Sequence, residues 1–173
     1  QAALLGAIAG AAVVCVVRRV SLLRMLDFLA PCGAVVALFA WLACFTAGCA
    51  WGVETYPGQG LLWSLTMDLP DLYGVRRPRV AAQPIGAVWS AFTLGAVLLF
   101  RNLPRKDGLL FGTWLLLQSL GHLGLSFLRA DPTLFLAGWR VDQLAHAVLA
   151  LAGGLLLGIR SAALRGQRQP QLR

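Results

Sequence analysis

Charge is almost absent from five stretches of the chain: residues 2–17, 28–53, 85–100, 109–128 and 141–159. A helix that crosses the hydrocarbon of a bilayer takes about 20 residues, within a range of roughly 17–25. The second, fourth and fifth runs meet that length, and the first and third are short. The alternation of a barrel wall is missing. Backbone groups in lipid must bond within their own segment, so each run is read as a helix. The pattern predicts an all-α, polytopic transmembrane bundle of about five helices. Glycine recurs at helical spacing at Gly6 and Gly10 and at Gly154 and Gly158, which predicts close helix approach there. The single long connection, about residues 54–83, contains an amphipathic stretch at 61–68, with Trp63 suited to the membrane interface. Residues 1–160 therefore form one membrane domain with a long exterior loop, and residues 161–173 a basic cytoplasmic tail, frayed from 167 onward.

Composition agrees with that picture. The chain has 173 residues, of which 58% are hydrophobic and 13% charged. Its mean hydropathy is +0.72, more apolar surface than a soluble domain of this size would hide. The net charge of +8 raises nucleic acid as a partner. That partner is rejected, because the cations gather in short loops rather than on one amphipathic face. The first loop holds Arg18, Arg19 and Arg24, the third Arg101, Arg105 and Lys106, and the tail Arg160, Arg165, Arg168 and Arg173. The second loop mixes Glu54, Asp68 and Asp71 with Arg76, Arg77 and Arg79, and the fourth balances Arg129 and Arg140 against Asp131 and Asp142. Positive excess on alternate connections predicts a cytoplasmic C-terminus. Cys15, Cys32, Cys44 and Cys49 all lie in apolar segments, with no CxxC pair and no metal spacing. They read as small packing residues, with no disulfide framework and no metal site. The chain opens inside an apolar run at Gln1 without a cleavable leader, so further sequence upstream is expected.

Residues 27–52 read DFLAPCGAVVALFAWLACFTAGCAWG. The frame Asp-Phe-Leu-Ala-Pro, then Cys-Phe, then Ala-Gly-Cys-Ala-Trp-Gly resembles the signature helix of the prolipoprotein diacylglyceryl transferase family. Those bacterial enzymes move a diacylglyceryl group from phosphatidylglycerol onto a cysteine of a lipoprotein precursor. The family motif carries a Gly-Arg pair in mid-helix, a polar residue three places later, and often an acid after the later Gly. Here those positions hold Ala40 and Trp41, then Cys44, then Cys49. Gln1 stands where the family has the His of a His-Gly-Gly segment. Residues 79–86, RVAAQPIG, line up with Arg-His-Pro-Ser/Thr-Gln-Leu-Tyr-Glu and keep Arg79 and Gln83. Residues 121–132, GHLGLSFLRADP, line up with a Gly-Arg-Phe run; His122 takes the place of its Arg and Ser126 that of its Glu, while Arg129 and Asp131 are kept. Gln143 fits a family glutamine near the start of the last helix.

The resemblance implies the C-terminal part of a seven-helix fold whose C-terminus lies inside, in the bacterial inner membrane. It also implies what has been lost. Arginines in a membrane cavity can clamp a lipid phosphate and stabilise charge on the departing group. A base must help the acceptor thiol become a thiolate. Trp41 carries no charge and Gln1 takes no proton near neutral pH. No catalytic residue is therefore expected at Gln1, Trp41, Cys44, His122 or Ser126. Trp41 should fill the volume of the missing cation. Residual lipid binding, with phosphatidylglycerol the lipid the family implies, is assigned to Arg79, Gln83, Arg129 and Gln143. Arg129, Asp131, Arg140 and Asp142 are read as exterior salt bridges in preference to a headgroup site. Trp51, Trp63 and Trp139 fall at outer helix ends, as interfacial anchors do. The function expected is that of a catalytically silent, lipid-binding or bracing subunit of a membrane complex, respiratory or photosynthetic, with no cofactor. Two rivals are an active lipid transferase and a subunit holding haem or a pigment at His122 or His146.

Overall fold

The computed structural model describes residues 2–71, 73–102 and 107–168. Each apolar run becomes a helix: α1 (Ala2–Arg18), α2 (Leu22–Ala47), α4 (Ala82–Phe100), α5 (Leu109–Ser126) and α6 (Val141–Arg168). Four of them, α2, α4, α5 and α6, are long and apolar enough to cross a bilayer. The fifth expected span, α1, is apolar but shorter, over Leu5–Arg18. The protein is a helical membrane bundle. The 26 residues of α2 rise about 39 Å at 1.5 Å each, more than the hydrocarbon thickness, with Pro31 inside the helix. A left-handed Gly48 (φ 68°) ends it. Helix α6 continues through Arg168, into the stretch read as tail.

Loops add structure that hydropathy did not announce. The stretch 61–68, expected to be one amphipathic element, splits into a single turn, α3 (Leu61–Ser64), and a strand, β1 (Thr66–Pro70). Strand β1 pairs antiparallel with β2 (Arg76–Val80), Asp68 opposite Pro78. A second hairpin joins β3 (Phe135–Leu136) to β4 (Trp139–Arg140). Residues 51–55 run between the two loops. Val53 N–H donates to Leu128 O, Ala130 N–H to Trp51 O, Thr55 N–H to Pro78 O and Val80 N–H to Val53 O, all at 2.9–3.0 Å. Gly52 sits so close to Val80 O that a Cβ there would overlap it. The two long connections thus form one hydrogen-bonded cap over a single end of the bundle.

Three helices interlock through tryptophan and glycine. The indole of Trp41 on α2 lies on Gly86 of α4, that of Trp89 on α4 lies on Gly121 of α5, and that of Trp114 on α5 lies on Gly33 of α2. A Cβ on any of these glycines would enter the ring above it. Trp89 Nε1 also donates to Leu117 O at 2.9 Å. Among the described residues the expected close approaches at Gly6, Gly10 and Gly158 are absent, since a Cβ there meets nothing within 4 Å. Helix α6 instead meets α5 at Gly153, whose Cβ would lie 2.7 Å from Leu116 N and 3.1 Å from Gly112 O. At the far end, buried Asp27 on α2 accepts from Gly108 N (2.8 Å) and Phe111 N (2.7 Å). It caps α5 from another helix, where the helix dipole favours an anion.

Candidate functional site

Trp41, His122 and Ser126, which the resemblance aligns with family site positions, lie beneath the cap. Trp41 is buried in a cluster with Ala50, Ala87 and Leu125, and Leu38, Cys44 and Ile85 pack against it. Its ring lies 5.2 Å from that of His122, tilted by 43°. His122 in turn lies 4.7 Å from His146 on α6. Ser126, one turn beyond His122, is fully buried and donates to Leu123 O at 2.6 Å. The position that the resemblance aligns with an arginine is occupied by an indole in contact with an imidazole. Gln1 lies outside the described residues.

Cys44 and Cys49 are joined in a disulfide, which overturns their reading as separate packing residues. The hydropathy of α2 concealed it: Gly48 turns the chain back in a left-handed conformation and brings the two Cα atoms to 4.7 Å. Gly48 N–H and Cys49 N–H both donate to Cys44 O. Cys15 and Cys32 are free.

Gln83 opens α4 and is fully buried; its Nε2 donates to Cys49 O at 2.9 Å. Arg79, also buried, donates through Nη2 to Glu54 Oε1 and to Asp71 Oδ2, both at 3.2 Å. Its guanidinium lies 5.9 Å above the Trp51 ring, a cation–π distance. Trp51 is buried, whereas Trp63 and Trp139 are exposed. Arg77 adds a second cation on Glu54 at 3.1 Å.

On the fourth loop the expected pair of exterior bridges is a closed and largely buried ring. Arg129 grips Asp131 with two bonds of 2.8 and 2.6 Å and reaches Asp142 at 3.5 Å. Arg140 reaches Asp142 at 3.1 Å and Asp131 at 3.5 Å. Arg140 also donates to Arg129 O and Asp131 O, both at 3.3 Å. Gln143 Oε1 accepts from Arg140 N at 3.1 Å and so caps α6. Two cations and two anions cancel, and each charge has two opposite neighbours. The structure thus places Arg79 with Gln83, and Arg129 with Gln143, in the cap, with both arginines engaged by carboxylates.

Sequence reasoning passed over Trp114, Gln118 and Ser119, which line the same cavity as His122 and His146. The signal was available: 114, 118 and 122 recur at four-residue spacing and share one face of α5. Among the described residues no group of three or more His, Cys, Asp or Glu side chains could hold a metal ion.

The family described as prolipoprotein diacylglyceryl transferase matches this chain over residues 1–159. The phosphatidylglycerol–prolipoprotein diacylglyceryl transferase 2 of Clostridium perfringens is 26% identical over 168 residues, 96% of this chain and 63% of that protein. The enzyme so named in Clostridium tetani is 25% identical over 131 residues, 73% of this chain and 51% of its own length. A third, from Symbiobacterium thermophilum, is 34% identical over 71 residues, 41% of this chain and 26% of its own. The chain spans less than two thirds of the length of these relatives. Its motifs, its bundle and the extent of the family match together establish that the chain belongs to the prolipoprotein diacylglyceryl transferase family.

Proposed function

We propose that this chain binds membrane lipid without transferring it and serves as an accessory subunit of a membrane complex, one of respiratory or photosynthetic type fitting the reading. The observation that supports the proposal is Trp41. The place where the resemblance puts a mid-helix arginine holds an indole seated on Gly86 and against His122, which offers no cation to a phosphate. Arg79 and Arg129, which could have served in its stead, are each held by two carboxylates. In this reading Arg79, Gln83, Arg129 and Gln143, which hold the loops together, are the residues nearest to a bound headgroup. Phosphatidylglycerol, named by the relatives as a substrate, would meet this chain at the exposed Arg76 and Arg77 of β2.

The protein resides in the bacterial inner membrane with the capped end outside and the C-terminus in the cytoplasm. The arginine excess at the opposite end supports that orientation, and so does the Cys44–Cys49 disulfide, which needs an oxidising compartment. Cysteines introduced at Asn102 or Asp107 would then be shielded from an impermeant label applied outside.

A second reading has its own observation. His122 and His146 stand together next to the altered site, and imidazole is the common acid–base group of catalysis. That pair would serve an active transferase. One experiment separates the two. The full chain is incubated with labelled phosphatidylglycerol and a lipoprotein-signal peptide, and the peptide mass is read. An unchanged mass is expected; addition of a diacylglyceryl group would establish the second reading.

A further inference from the structure

The fourth loop carries an apolar hairpin that the candidate site does not use. Strands β3 and β4 set Phe135 opposite Arg140 and Leu136 opposite Trp139. Ala137 (φ 51°) and Gly138 (φ 83°) close the turn in the left-handed region, as a tight two-residue connection requires. From Leu134 to Trp139 the indole N–H is the one polar side-chain group. Leu134, Phe135, Leu136 and Trp139 are each between 53% and 78% exposed. Arg140, the single charge between Pro132 and Val141, is buried and turned towards Asp131 and Asp142. A contiguous apolar patch of this kind marks a surface that something covers.

Three observations say what covers it. The first is depth. The Arg24–Asp107 pair stands just before α5 at the far end of the bundle. From there the 18 residues of α5 rise about 27 Å, short of the roughly 30 Å of hydrocarbon. The base of the hairpin therefore lies at the hydrocarbon edge. The second is charge. Arg129, Asp131, Arg140 and Asp142 at that base are matched among themselves, as ions next to lipid must be. The third is continuity. Val141 N–H donates to Leu134 O at 3.0 Å, so the hairpin runs directly into the exposed apolar face of α6 at Val141, Val148 and Leu155. A docking protein would call for a polar rim around the apolar centre, and the hairpin has none.

We propose that the β3–β4 hairpin is an anchor embedded in the lipid leaflet at the capped end. Its partner is the bilayer surface itself. The hairpin lies along the boundary between headgroups and acyl chains, with Leu134, Phe135 and Leu136 towards the chains and Trp139 at headgroup level, where indoles settle. The turn peptides at Ala137 and Gly138 stay with the hydrated headgroups, because hydrocarbon offers them no hydrogen-bond partner. The inference goes beyond the function proposed above and holds whether or not the chain transfers lipid.

The test uses the full chain in phosphatidylcholine nanodiscs, which leave both membrane faces open to buffer. Cys15→Ala and Cys32→Ala remove the free thiols, and the Cys44–Cys49 disulfide is left intact. Leu136→Cys, and separately Gln59→Cys on the second loop, is labelled with a nitrobenzoxadiazole dye. Quenching is read with aqueous iodide and with a lipid bearing a doxyl group high on its acyl chain. At 136, iodide quenching about fivefold weaker than at 59 is expected, together with stronger quenching by the doxyl lipid. Phe135→Cys supplies the same reading if Leu136→Cys fails to fold. Iodide quenching equal at 136 and 59 would put the hairpin in water and overturn the inference. Protection from both quenchers would mean that protein, a second copy or another chain, covers the patch, and would overturn it equally.

Discussion

The middle of the bundle and its capped end have treated charge in opposite ways. In the middle, Trp41, His122 and Ser126 bring no formal pair of charges, and packing decides the structure. At the capped end eight ions pair off: Arg77 and Arg79 against Glu54 and Asp71, Arg129 and Arg140 against Asp131 and Asp142. Both solutions obey one constraint. A charge next to lipid must have a partner or disappear. The comparison teaches that this bundle is held by aromatic packing in its middle and by paired ions at its capped end.

Restoring the cation should have the largest effect. Trp41→Arg places a charge between Gly86 and His122 with no carboxylate nearby in the cluster, and is expected to abolish the folded state in mild detergent. Trp41→Ala leaves a void instead and is expected to cost about 3–5 kcal/mol, less where lipid enters. Thermal unfolding of the purified variants checks both. A Trp41→Arg protein as stable as its parent would show that the middle still accommodates charge, and the contrast between the two regions would fall.

Next in size is the capped end. Arg140→Ala leaves Asp131 and Asp142 facing only Arg129, and breaking a buried ion network costs about 3–5 kcal/mol. The same unfolding measurement applies, and a loss under 1 kcal/mol would mean that the ring behaves as exposed pairs do. Smaller again is the disulfide. It closes a six-residue loop, so Cys44→Ala with Cys49→Ala should cost about 2 kcal/mol by loop entropy. Alkylation of the denatured, unreduced protein should label Cys15 and Cys32 alone, and mass spectrometry should find two further labels after reduction. Smallest is Arg24→Ala. The Arg24–Asp107 pair, 3.3 Å apart at the opposite end, is largely exposed and should contribute under about 1 kcal/mol.

The helices were legible in sequence because lipid imposes a length and an apolar composition on each one. Four of the five runs begin or end within a few residues of their helices, since charge marks the membrane boundary at Arg18, Arg101 and Asp142. Helix α2 starts at Leu22, six residues before its apolar run, because Arg24 and Asp27 sit inside it. Those two look like loop residues by hydropathy, yet one reaches Asp107 and the other caps α5. The site positions were legible only through the family frame. Their partners were not, because Cys44 with Cys49, Arg79 with Asp71 and His122 with His146 are brought together by turns and crossings that leave no periodic trace. Gln118 was missed for a different reason: a lone amide in an apolar helix shows its use only when Ser90 and the cavity are seen beside it.

The three tryptophan seats form a circuit, α2 onto α4, α4 onto α5 and α5 back onto α2. The circuit stays open until its last member arrives from the ribosome. With α2 and α4 inserted, only the Trp41 seat exists; Trp89 has no floor and Gly33 has no lid until α5 follows. Emergence of α5 then closes two seats at once. Cutting the chain between Phe100 and Gly108 would leave a first fragment with one seat and a second with none. Co-expressed halves should therefore recover the native arrangement in a single all-or-none step, as a stone arch stands only once its keystone is placed.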